Sequence, residues 1–75
     1  MVDLTLDARG LQCPMPVVKA KKAIDSLKPG QVLLIQATDP GSKADFAAWS
    51  RSTGHELLSA TESGGIFSYE VRKKG

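Results

Sequence analysis

Apolar and polar positions alternate at the start of the chain. Val2, Leu4 and Leu6 interleave with Asp3, Thr5 and Asp7, a period of two that predicts a short strand with one buried face. Residues 8–12 read as a loop in which Gly10 is free to take a positive φ. The period then changes. Val17, Ala20, Ile24 and Leu27 share one face at helical spacing, predicting a helix over 14–27. Lys19, Lys22 and Ser26 lie off that face, Lys21 reaches toward Asp25 one turn on, and Lys28 suits the negative helix end. Pro29-Gly30 stops the helix.

Val32-Leu33-Leu34-Ile35 is a compact apolar run, read as a strand buried on both faces. Residues 38–42 form a loop opening a second helix, with either Asp39 before Pro40, or Ser42 with Asp45, as the cap. That helix carries Phe46 and Trp49, three apart and read as core rather than a partner-facing patch, and closes at Thr53-Gly54. A third strand is predicted over 55–61, a hairpin turn at Gly64-Gly65, and a fourth strand over 66–72 with Phe67, Tyr69 and Val71 alternating. Residues 72–75 read as a frayed tail, and Lys73 and Lys74 as solvated. The order βαβαββ predicts an α+β two-layer sandwich: a four-stranded mixed sheet with two helices on one face.

Seventy-five residues make one domain, 1–75. A chain this short buries only about 60% of the surface its unfolded form exposes, so chemistry is expected at a surface or in a shallow groove. A net charge of +2 is too mild to point to nucleic acid. The opening residues do not read as a signal peptide, and no apolar run approaches the roughly 18 residues of a membrane span. The expected home is the reducing cytoplasm, where a free thiol is ordinary.

Cys13 is the single cysteine, so an internal disulfide is excluded. With one histidine beside it, no metal-ligand set forms, and no cofactor motif is present. Cys13 sits at the mouth of the first helix, in Gln12-Cys13-Pro14-Met15-Pro16. A helix start carries partial positive charge and unpaired N–H groups, which push a thiol toward thiolate and would equally hold a persulfide anion. Pro14 at the first helical position and Pro16 at the third lose no hydrogen bond there. The N–H groups of Met15 and Val17 are the expected donors toward the sulfur. Met15 is placed to touch a partner, and Lys19 and Lys22 extend a basic surface that suits acidic partners. His55 begins a predicted strand, and nothing in the sequence brings it to Cys13 as a base.

The run from Leu6 to Pro16 closely resembles the Cys-Pro-x-Pro signature of the TusA-like, or SirA-like, sulfur-carrier family. The resemblance continues through Lys28-Pro29-Gly30, Thr38-Asp39-Pro40 and Thr53-Gly54-His55, covering nearly the whole chain. It implies the same βαβαββ sandwich, with Cys13 as the persulfide-forming residue beside Pro14 and Pro16. Asp39 matches a family position with a structural or partner-facing role. It implies a donor protein such as a cysteine desulfurase or rhodanese, and an acceptor protein. The destinations it brings are tRNA thiolation, molybdenum cofactor maturation, sulfur oxidation, and thiosulfate use beside a membrane transporter. The resemblance brings no cofactor and no direct nucleic-acid contact, and a carrier visiting two partners is expected to be a monomer. Sulfur and selenium are not distinguished as cargo. Two alternatives stay open: a nucleic-acid-binding module using Lys19, Lys22, Lys73 and Lys74, and a thiol redox switch, the latter weakened by the lack of a resolving cysteine.

Overall fold

The computed structural model describes residues 2–12 and 14–75. Its elements are β1 (Leu4–Ala8), α1 (Met15–Asp25), β2 (Val32–Ala37), α2 (Ser42–Thr53), β3 (Glu56–Ser63) and β4 (Ile66–Arg72). The strands form one sheet in the order β1-β2-β4-β3. The β1–β2 pair is parallel and the other two pairs are antiparallel, giving the expected mixed sheet. α1 packs on β1 and β2, α2 on β3 and β4, and the helices touch each other.

Register fixes the core. Ala8, Ala37 and Phe67 align across three strands, as do Leu6, Ile35 and Tyr69. With Leu33 and Val71 these residues meet Ala20 and Ile24 of α1 and Phe46 and Trp49 of α2. Phe46 is stacked on Tyr69 at 4.7 Å between ring centroids and meets Trp49 edge-on at 5.8 Å, geometries that aromatic quadrupoles favour. Phe46 and Trp49 are therefore core.

Several local expectations are corrected. β2 is fully buried on one face, and on the other only Val32 is buried. Leu33, Ile35 and Ala37 lie under the helices, whereas Leu34 and Gln36 are half-buried by neighbours on the open face. An all-apolar run in a central strand reads the same either way. β3 carries a bulge between Leu57 and Ser59, which leaves Leu58 42% exposed. α1 ends at Asp25, because Ser26 and Leu27 donate to Ala23 and Ile24, three residues back rather than four. Lys21 and Asp25 form no ion pair.

Neither predicted cap of α2 forms; Gly41 holds that position. Asp39 Oδ1 accepts the Gly41 N–H at 3.4 Å, one residue early. Ser42 is the first helical residue, and its Oγ pairs with the Tyr69 hydroxyl at 2.6 Å inside the core. Burying the phenol requires a polar partner there, and that need outweighs capping.

The tail is fastened rather than frayed. Lys73 N–H donates to the Gln31 carbonyl at 2.8 Å and its own carbonyl accepts from Gly30. Its Nζ donates to the Leu27 carbonyl at 2.6 Å. Lys73, from the far end of the sequence, thus adds a cation at the end of α1.

Candidate functional site at the start of the first helix

The parallel pairing of β1 with β2 brings both following loops to one end of the sheet, where α1 and α2 begin. The first loop is held at three points. Arg9 donates to Asp7 from its N–H at 3.1 Å and from its guanidinium at 2.9 and 3.1 Å. These bonds, side chain first, lower the Asp7 carboxyl to about 2. Leu11 N–H donates to the Ala8 carbonyl at 3.3 Å. Gly10, at φ 81°, donates its N–H to Thr38 Oγ1 at 2.9 Å, which ties the first loop to the second.

Cys13 lies outside the described residues; what surrounds it in sequence is described. Met15 N–H donates to the Gln12 carbonyl at 2.8 Å, and Val18 N–H to the Pro14 carbonyl at 3.1 Å. Pro14 is exposed and occupies the cap position, and Pro16 is the second helical residue. Both stand one position earlier than predicted, because the Pro14 carbonyl already accepts the first helical bond. Neither proline deprives the helix of a donor it could use. Pro16 is buried, so its ring also anchors the first turn.

Of the two donors expected near Cys13, that of Met15 is engaged by Gln12. Val17 belongs to the first turn of α1, where backbone donors have no carbonyl within the helix to bond. α1 has no acidic residue in its first turn, so no side-chain charge there opposes its positive end.

One outward stripe of α1 carries Met15, Val18, Lys19 and Lys22, spaced i, i+3, i+4 and i+7 and all exposed. Met15 and Val18 are each 40% exposed. Val18 carries no motif signal in the sequence, although its place between Met15 and Lys19, off the buried face, marks it. Thr38 belongs to the resemblance, but its bond to Gly10 is not legible in the sequence, because the two stand 28 positions apart. Asp39 is half-buried in the adjoining loop, next to Thr38.

His55 is at the opposite end. It precedes Glu56, which pairs with Arg72, which pairs with Val32. Ala37 and Phe67 close the far edge, roughly 17 Å away along the strands. No base for the thiol comes from this residue. An open groove of about 460 Å³, lined among others by Gly30, Gly54 and Lys74, lies at the His55 end.

Residues 4–73 match the profile of the family described as Sulfurtransferase TusA. The chain belongs to this TusA family. It is 48% identical to the sulfur carrier protein TusA of Allochromatium vinosum, over 95% of this chain and 93% of that one. It is 44% identical to the sulfur carrier protein TusA of Pseudomonas entomophila, over 96% and 90%. A SirA-like protein from Desulfitobacterium hafniense has the same fold, with a TM-score of 0.83, 24% identity, and coverage of 96% of this chain and 99% of that one. Among the described residues, no helix is long and apolar enough to cross a membrane.

Proposed function

We propose that this TusA-family chain is a sulfur carrier whose working atom is the Cys13 sulfur. The thiolate attacks the terminal sulfur of a donor persulfide, R–S–S⁻. A new S–S bond forms on Cys13, the donor S–S bond breaks, and the donor leaves as R–S⁻. An acceptor thiolate repeats the exchange on the terminal sulfur of Cys13–S–S⁻ and restores the Cys13 thiolate. No other oxidant or reductant enters.

The observation that carries this reading is the start of α1. It begins directly after Cys13-Pro14, has no first-turn acid, and is anchored by the buried Pro16. Its macrodipole favours an anion at that end by about 0.3–1 kcal/mol, and a persulfide is an anion. Both partners are proteins in this reading, the donor of the cysteine desulfurase or rhodanese type. They dock on Met15, Val18, Lys19 and Lys22, with Asp39 at the margin. The carrier works as a monomer in a reducing cytoplasm, where Cys13 stays a thiol.

The nucleic-acid alternative loses support. Phe46, Trp49 and Tyr69 are inside, and the open sheet face offers Thr5, Asp7, Ser68 and Glu70 rather than stacking aromatics. Intact-protein mass spectrometry after exposure to polysulfide tests the carrier reading. Gain of one sulfur, reversed by reductant and absent in Cys13→Ser, is expected. An alkylatable Cys13 that gains nothing from polysulfide or a loaded desulfurase refutes it.

A further inference from the structure

Away from the sulfur end, the segment after β4 crosses the ends of both helices. Lys73 Nζ donates to the carbonyls of Asp25, the last residue of α1, and of Leu27 just beyond it. Lys74 runs its side chain over Gly54, where an added Cβ would stand 2.9 Å from Lys74 Cδ. Gly54 is the left-handed cap of α2, at φ 83°. The next tie depends on one titratable atom: Lys74 N–H donates to His55 Nδ1 at 3.0 Å. The imidazole ring lies tilted against Trp49, 5.4 Å between centroids.

We propose that His55 is a pH-gated fastening for this segment, closed when Nδ1 is bare and released when a proton occupies it. Protonated Nδ1 would point N–H at N–H, and the bond to Lys74 would be lost. The imidazolium would also stand among cations. The charges acting on it are Lys73 and Lys74 from the segment itself and Asp25 from α1. Trp49 contributes an uncharged ring from α2, and the neighbouring Glu56 and Arg72 are paired with each other. Burial first, then Lys73, lowers the His55 pKa, with Asp25 opposing.

The sign follows. The folded pKa lies below the unfolded value of about 6.5, so the bond's contribution is complete above that value. It is lost as pH falls through the folded pKa. Lys73 keeps its backbone pairing with Gln31 and Gly30, so release is confined to residues 74 and 75. The wall that Lys74 gives to the groove beside Gly54 moves with it.

The test is amide NMR and hydrogen exchange on the whole chain from about pH 8 to about pH 5, across the histidine range. The Lys74 amide is expected to shift with the His55 ring protons, and its protection factor to fall about tenfold. Ile35 and Tyr69 amides should stay unchanged. His55→Gln, whose side-chain oxygen accepts at any pH, should keep Lys74 protected throughout. His55→Phe, which keeps a ring against Trp49 without the acceptor, should leave it unprotected throughout. Protection of Lys74 that persists while His55 titrates, or that survives in His55→Phe, overturns the proposal. None of these readouts involves Cys13, so sulfur transfer and the fastening fail or stand separately.

Discussion

The Gly10 N–H donates to Thr38 Oγ1 across 2.9 Å, joining the loop after β1 to the loop after β2. The bond fixes one side of the segment that leads into Cys13, and it uses a side chain from the neighbouring crossover. Thr38→Val keeps the shape and removes the acceptor. It should cost about 1 kcal/mol in urea unfolding. The pH profile of Cys13 alkylation should also move upward, since the carrier reading proposed above relies on this loop to present the thiol to the positive end of α1. Thr38→Ser should restore both. An unchanged alkylation profile in Thr38→Val would separate this bond from the thiol.

Tyr69→Phe leaves Ser42 Oγ buried without its partner. A stranded hydroxyl costs about 1–3 kcal/mol, so the urea midpoint should fall. Ser42→Ala combined with Tyr69→Phe should cost less than the two single losses added together. Strict additivity would mean that the two hydroxyls do not act as a pair.

Asp7 sits at about 2 because Arg9 bonds its carboxylate. Its folded pKa lies below the unfolded one, so its contribution is complete above the ordinary 3.8 and lost as pH falls through about 2. Carboxyl ¹³C titration should show the low midpoint. Arg9→Ala should return it toward 3.8. A wild-type midpoint already near the ordinary value would dissolve the link.

Reversing the charges on α1 tests the docking stripe. Lys19→Glu with Lys22→Glu should slow sulfur transfer from a protein donor about tenfold at low salt, and less as ionic strength rises. Loading by polysulfide should be unaffected, because a small donor needs no docking surface. Equal losses with both donors would place the lysines in the chemistry instead.

The element order was readable in the sequence where the period was clean and where Gly and Pro marked the turns. Alternation marked β1 and β4, and helical spacing marked α1 together with its buried face. Phe46 and Trp49 read as core from their three-residue spacing. Long-range choices stayed hidden. Ser42 reads as a cap until Tyr69, 27 positions away, takes its hydroxyl. Lys73 and Lys74 read as a solvated tail until Leu27 and His55 supply acceptors from distant positions. At the candidate site, the motif and Met15 were visible, while Val18 depended on knowing which helix face the core takes. The Met15 donor was misassigned because the turn through Gln12 is a local alternative that spacing does not show.

β4 is the last strand in the sequence, yet it lies inside the sheet, between β2 and β3. A nascent chain halted before Ile66 would hold β1 and β2 together and leave β3 with no strand beside it. The antiparallel seam of β2 with β4 runs from the Val32–Arg72 pair to the Ala37–Phe67 pair. The domain therefore closes only after residue 72 has left the ribosome. Until then the growing polypeptide shows raw strand edges, a natural substrate for chaperones that guard emerging chains.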